Sequence, residues 1–368
     1  MRTNTVEVME PIIMNRLIQV LVALLSVAAV TAIIFTRDGH LVTPTGEGSV
    51  SLDSGEYEVF PLPDYALAQV SEDYKSYFVE VEPGIKVHVL EVGSGYPIYL
   101  QHGNPTSGFL NRKIVEALPT DRVRLIMPTL IGLGFSSKVP VSDHTMENHV
   151  RWMNKVLTEL DIEETLYVGQ DWGGPIGMGA LAESPDLLKG AVILNTGFTA
   201  PTEDMELSSA HAMVRTPVVG ELLLSVAFSI FESLPLMQGD PNSIPPAIQS
   251  LYGDPVKESG NSKAPLALMR MVPDGLDHPS VPAQRKVEQY VRDLDIPAEI
   301  IWGMNDPILA KGLPMMKSLF PEAPVLETDA GHFLQEEVPE EIAAALMRVL
   351  AVVQGASLDS NVEAGGEA

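Results

Sequence analysis

The chain has no cysteine in its 368 residues. That excludes disulfide cross-links, a thiolate nucleophile and any metal site built on sulfur. Basic residues are also scarce: Lys plus Arg number 23 against 49 Asp plus Glu, a formal charge of −26. A surface so poor in positive charge repels a phosphate backbone, so nucleic acid is excluded as a partner. The eight histidines are scattered without the spacing of metal ligands, and only three tryptophans occur. What the chain does have is apolar content, 45% of all residues, enough for a sizeable core in one large domain with an insertion or in two modest ones.

The apolar residues are not evenly spread. Residues 17–35 are apolar apart from Gln19, Ser26 and Thr31, with Arg2 and Arg16 before them and Arg37 after. A helix of that length just crosses a hydrocarbon core of ~30 Å. Residues 1–37 therefore read as an N-terminal hydrophobic helix. It is either an uncleaved membrane anchor or a signal peptide cut near Val30-Thr31-Ala32, with a buried core helix as the third possibility. The anchor makes the membrane a partner, and the basic residues ahead of the run favour export of the body of the protein to the periplasmic or other extracytoplasmic side in either of the first two readings. Residues 38–72, rich in Gly, Ser, Pro and acids, read as an extended linker.

Beyond the linker, apolar alternation predicts strands at 77–82 and 85–92, joined by a Pro83-Gly84 turn. Further strands are predicted at 98–101, 123–127, 165–169, 191–194, 298–302 and 325–328. Helical spacing marks 144–160, the stretch from Gly173 onward, and 338–353. Strands alternating with helices imply an α/β fold: a mostly parallel sheet flanked by helices. From 199 to 283 the pattern is helical, Pro- and Met-rich and without strands. It reads as a helical cap inserted between two core segments, 73–198 and 284–354. Phe198, Met213, Leu223, Leu224, Phe228 and Phe231 are candidates to line a pocket under it, although simple cap core accounts for most of them. The small, acidic tail, 355–368, reads as disordered.

Three short segments carry chemistry. Gly169-Gln170-Asp171-Trp172-Gly173 follows an apolar strand and opens a helix, the Gly-x-nucleophile-x-Gly frame of a nucleophile elbow. Its central residue is Asp171, which is ionised at neutral pH and needs no base to attack. The competing reading is an aspartate capping the next helix. His332, in Asp329-Ala330-Gly331-His332-Phe333, lies in a Gly-led loop after a strand, where it can work as an acid or base; otherwise it is a surface-loop histidine. Asp306, after the strand at 298–302, can orient that histidine; otherwise Asn305-Asp306-Pro307 is turn chemistry. The chain order Asp171, Asp306, His332 is nucleophile, acid, base.

With these words in place, the chain from about Tyr74 to Val353 resembles the haloalkane dehalogenases, members of the α/β-hydrolase superfamily. The resemblance rests on His102-Gly103-Asn104-Pro105-Thr106-Ser107, Gly169-Gln170-Asp171-Trp172-Gly173-Gly174-Pro175 and Gly331-His332-Phe333-Leu334-Gln335-Glu336-Glu337. It implies the α/β-hydrolase fold and hydrolysis of a haloalkane through an ester on Asp171, with His332 as base and Asp306 as acid. It further implies that Asn104 and Trp172 hold the halide and that their backbone N–H groups form the oxyanion hole. The implied partners are a small apolar halogenated substrate, halide ion and water, with no metal and no cofactor. Some relatives place the acid after an earlier strand; here that strand ends at Leu194-Asn195-Thr196 without a carboxylate, which favours Asp306. None of the three tryptophans, Trp152, Trp172 and Trp302, falls in the cap, so Asn104 must serve where some relatives use a cap tryptophan. Related epoxide hydrolases use two cap tyrosines, and only Tyr252 and Tyr290 are available. Epoxide hydrolysis is the alternative activity, and a non-catalytic, membrane-tethered binding module is the second alternative. Glu336 and Glu337 read as structural residues at the start of the last helix.

Overall fold

A computed structural model describes residues 6–35, 37–203, 209–224 and 229–355. Among the described residues the strands form one sheet of ten: β1 (Ser49–Leu52), β2 (Gly55–Val59), β3 (Lys75–Glu82), β4 (Ile85–Gly93), β5 (Tyr96–Gln101), β6 (Val123–Pro128), β7 (Thr165–Gly169), β8 (Leu188–Ile193), β9 (Ala298–Gly303) and β10 (Val325–Thr328). Their order is β1-β2-β3-β4-β6-β5-β7-β8-β9-β10. The first four strands and β6 meet antiparallel, and everything from β6 to β10 is parallel. β7 is buried at all its positions, as a central parallel strand covered on both faces must be.

The linker expected at 38–72 needs correction. Residues 49–59 form a hairpin whose β2 pairs with β3, Glu58 opposite Phe78. Tyr57 and Tyr77 meet ring to ring at 5.3 Å across that seam. Asp53 and Ser54 make the turn, and Gly55, at φ 147°, opens β2 opposite Leu52. The segment is polar because it is an edge of the sheet, with one face in water.

The N-terminal expectation also changes. Val6–Phe35 forms a helix, and its described apolar side chains, from Met14 to Val30, are exposed. Among the described residues no helix is long and apolar enough to cross a membrane, so the expected anchor is without support. The tail expected at 355–368 lies, beyond Gly355, outside the described residues.

Two helices matter for the site. Met146–Glu159 is capped by Thr145, whose side chain accepts the Asn148 N–H, and buries Val150, Met153, Val156 and Leu157 on one face. Gly173–Ala182 is buried almost throughout, and its small residues let it lie close against the sheet. The stretch between β8 and β9 carries the helices Ser209–Arg215, Val219–Leu222, Pro246–Glu258, Ala264–Arg270 and Val281–Arg292. The last of these packs on Gly173–Ala182. The cap boundary expected between 283 and 284 therefore falls inside a helix of the core.

One buried ion pair ties three parts of the chain together. Arg112, after β5, makes a two-pronged contact with Glu336, after β10, at 2.6 and 2.9 Å. Tyr252, on the helix Pro246–Glu258, donates to the same carboxylate at 2.7 Å, and Lys113 lies 3.2 Å from it. Removing one partner leaves a buried charge unpaired. Glu336→Ala is expected to lower the unfolding free energy by about 3–5 kcal/mol, measured by urea denaturation; an unchanged midpoint would show that the pair contributes no net stability.

Candidate active site

The sheet brings the chemistry to one edge. The chain runs from β5 outward to β6 and then back to β7 on the other side of β5, so the ends of β5 and β7 lie side by side, Gln101 opposite Gly169. A reversal of this kind opens a crevice at the carboxyl ends of the strands. The segments that follow β5, β7, β8, β9 and β10 carry Asn104, Asp171, Asn195, Asp306 and His332 in turn.

Asp171 sits at φ 51°, a left-handed backbone that costs a non-glycine residue about 1–3 kcal/mol. Three bonds hold it there. Its N–H donates to the Asn195 carbonyl at 2.8 Å, and its own carbonyl accepts from the Thr196 hydroxyl at 2.7 Å and the Gly174 N–H at 3.0 Å. A side chain at Gly173 would run into the carbonyls of Gln101 and His102, and one at Gly103 into the Asp171 carboxylate itself. The reading of Asp171 as a mere helix cap fails: Trp172 occupies the cap position of Gly173–Ala182 without a side-chain cap bond. The carboxylate turns instead toward the loop after β5.

There the two oxygens take different surroundings. Oδ1 accepts the backbone N–H of Asn104 at 2.8 Å, and the backbone N–H of Trp172 is a second group whose pull favours the charged carboxylate. These are the two N–H groups expected as the oxyanion hole. Oδ2 lies 3.7 Å from Nε2 of His332, too far for a hydrogen bond and near enough for a small molecule to share. Burial pushes the Asp171 carboxyl above its ordinary value, while His332 and the two N–H groups pull the other way.

Asp306 and His332 meet as expected. Nδ1 of the buried imidazole lies 2.9 Å from Oδ2 of Asp306. Oδ1 of Asp306 accepts the N–H groups of Ile308 and Leu309, so the turn reading of Asn305-Asp306-Pro307 holds as well. Burial opposes charge on both residues. The hydrogen bond and mutual attraction outweigh it, holding Asp306 below and His332 above their ordinary values. The His332 loop is pinned by its N–H on the Met237 carbonyl at 2.8 Å and by Glu337, which accepts the Gly331 N–H at 2.6 Å.

The halide donors come together only in part. Trp172 is 7% exposed, and no described group accepts from its indole N–H. The amide nitrogen of Asn104, expected to hold the halide, carries two donor hydrogens, and one is engaged by the Pro265 carbonyl of the cap at 3.1 Å. One N–H remains free to donate. Of the two cap tyrosines weighed for epoxide opening, Tyr252 is spent on Glu336 and Arg112. Of the pocket candidates, Phe198 and Phe231 are buried, Met213 is 46% exposed, and Phe228 lies outside the described residues.

Some residues of the site went unnoticed in the sequence. Asn195 donates to Oδ2 of Asp306 at 2.8 Å and to the Gly303 carbonyl at 2.9 Å, while its own oxygen accepts the Gly303 N–H. The signal for it was present: it stands where a strand ends beside the candidate acid. Gln170, fully buried, reaches the His332 ring, and only its place beside the nucleophile could have drawn attention to it. His102, by contrast, is structural: Nε2 accepts the Leu130 N–H, Nδ1 lies 2.7 Å from the Gly103 carbonyl, and burial pushes the ring down to about 4. Among the described residues no group of three or more His, Cys, Asp or Glu could hold a metal ion.

Residues 96–224 match the α/β hydrolase fold family. The chain is 30% identical over 292 residues to a haloalkane dehalogenase of Mycobacterium marinum, covering 76% of this chain and 94% of that protein. It is 31% identical over 283 residues to the cis-3-alkyl-4-alkyloxetan-2-one decarboxylase of Shewanella oneidensis, covering 73% and 86%. The crystal structure of the haloalkane dehalogenase DatA from Agrobacterium tumefaciens C58 superposes with a TM-score of 0.68 at 28% identity, covering 79% of this chain and 100% of that one.

The coupling of Asp306 to His332 can be tested without a substrate. Asp306→Asn removes the negative charge that favours the imidazolium. The pKa of His332 is then expected to fall from its raised value, read by nitrogen NMR of labelled histidine across a pH titration. An unchanged titration would mean that another group holds the ring's charge.

Proposed function

We propose a reaction from one premise: the chain belongs to the haloalkane dehalogenase family of the α/β hydrolases. The reaction is hydrolysis of a carbon–halogen bond, RX + H2O giving ROH, halide and a proton. The observation that carries it is the division of labour in the Asp171 carboxylate, with Oδ1 held by backbone N–H and Oδ2 left open beside His332.

In the first step Oδ2 attacks the carbon in line with the halogen. The carbon–halogen bond breaks and an alkyl ester forms on Asp171. The leaving halide takes hydrogen bonds from the Trp172 indole and from the remaining amide N–H of Asn104. Donors set where charge develops contribute about 3 kcal/mol each in comparable sites. In the second step a water between His332 and the ester gives a proton to Nε2 while its oxygen adds to the ester carbon. Oδ1 becomes the oxyanion, already seated on the N–H of Asn104, with the N–H of Trp172 as the second donor the reading assigns to it. Collapse breaks the bond from the carboxyl carbon to the alkoxy oxygen, which leaves as the alcohol. Asp306, fixed by Asn195, stabilises the imidazolium in between.

A second reading has one observation in its favour, the 31% identity to an oxetan-2-one decarboxylase. The same carboxylate could open such a ring by attacking the carbon that bears the ring oxygen, with a carboxylate in place of halide as the leaving group. Loss of CO2 would then form a carbon–carbon double bond and expel Asp171. That route consumes no water and needs no base. The epoxide reading is weaker, because Tyr252 is committed elsewhere.

The test is halide release from 1-bromobutane beside CO2 release from a cis-3,4-dialkyl oxetan-2-one. Asp171→Asn is expected to abolish release from the bromide. His332→Ala is expected to give about one bromide per protein and then stall, with the butyl ester on Asp171 detected by mass spectrometry. CO2 release that survives in His332→Ala, without bromide release from the unaltered protein, would favour the second reading. Silence on both substrates would favour the non-catalytic module.

A further inference from the structure

The His332 ring has a third partner that the mechanism above leaves unused. Gln170 is fully buried, and its amide nitrogen lies 2.9 Å from the His332 carbonyl and 3.2 Å from Nε2 of the ring. Its amide oxygen is buried with no partner. The orientation of that amide is dictated by its surroundings. Turning it over would set its oxygen against the carbonyl oxygen of His332, and two acceptors at hydrogen-bond distance repel. The carbonyl thus holds one amide hydrogen, and the other points at Nε2.

A donor facing Nε2 has two consequences. It requires a lone pair there, so the ring's single proton sits on Nδ1, where Asp306 receives it. It also opposes a proton on Nε2, since N–H would then face N–H. Asp306 and Asp171 are the two charged groups acting on the ring, and both favour the imidazolium. Gln170 is the neutral group beside them that favours the uncharged ring.

We propose that Gln170 is a positioning residue: it fixes His332 in the tautomer with Nε2 unprotonated and makes the ring release the proton it takes from water. This rests on the dehalogenase reading for its catalytic meaning, while the contact itself does not. At 3.2 Å the bond to Nε2 is long enough for a water to displace, and the bond to the backbone carbonyl keeps the amide in place meanwhile. After proton transfer the amide and the imidazolium oppose each other, which favours passing the proton on as the alcohol leaves. The first step does not involve Nε2 and gains nothing from Gln170.

The experiment compares the full chain with Gln170→Met, which keeps the length without a donor, and Gln170→Glu, which when ionised can only accept. Two readouts are taken: the nitrogen NMR titration of His332, and rapid-quench release of bromide and butanol from 1-bromobutane between about pH 5 and 9. Loss of the donor is expected to move the His332 titration upward by about one pH unit, making butanol release about tenfold slower below that pH. The initial bromide burst should keep its rate. Gln170→Glu should shift further in the same direction. Titrations unchanged in both variants, or a burst slowed as much as butanol release, would overturn the proposal. Absence of any bromide burst in the unaltered chain would count against the dehalogenase reading alone, and the NMR titration would still decide whether Gln170 sets the state of the ring.

Discussion

Everything in this site depends on keeping one carboxylate charged and aimed in a place that is nearly dry. Burial opposes the charge on Asp171; the Asn104 N–H takes one of its oxygens, the Trp172 N–H also favours the charged form, and the other oxygen lies 3.7 Å from the His332 ring. That arrangement needs a left-handed turn at a non-glycine residue, glycine at 103 and 173 for clearance, and the ends of β5 and β7 side by side. The fold satisfies all three through a single reversal in strand order. The strain in the turn is offset by bonds to Asn195, Thr196 and Gly174, which stand on the neighbouring strand end and helix.

The same N–H groups serve twice. On the proposed route they favour the charged carboxylate before reaction and then face the negative oxygen that forms when water attacks the ester. No reorganisation is needed between the two steps, which is where preorganised dipoles gain over solvent. The base is governed by opposing neighbours: Asp306, itself fixed by Asn195, raises its readiness to accept a proton, and Gln170 limits it. Farther out, the Arg112–Glu336–Tyr252 contact joins the loop carrying Asn104, the loop carrying His332 and the cap. The three parts of the site are thereby braced against one another.

Much of this was legible in the residues. The strand at 165–169 coincides with the predicted one, because a buried parallel strand is short, apolar and sharply bounded, and the edge strand at 325–328 coincides as well although none of its residues is buried. The positions of Asp171, Asp306 and His332 followed from three strand ends in a known order. The hairpin at 49–59 was missed because an edge strand facing water carries the composition of a linker. The half-occupied amide of Asn104 was invisible, since its partner is a backbone carbonyl at Pro265, 161 residues away. Gln170 has no signature as a neutral amide until the ring it meets is seen beside it, and Asn195 has only its place at a strand end, where a carboxylate is what draws attention. Val6–Phe35 is helical, but neither a long apolar helix nor a membrane role for it draws support from the described residues.

The central claim is that Asp171 is itself the nucleophile and that water attacks the enzyme rather than the substrate. A single turnover of 1-bromobutane in oxygen-18 water tests it, with mass analysis of both products. The account predicts heavy oxygen in the Asp171 carboxylate and ordinary oxygen in the butanol, since the alcohol leaves with an oxygen of Asp171. Heavy oxygen in the butanol with an unlabelled Asp171 would mean that water displaced the halide directly, and the account would be wrong.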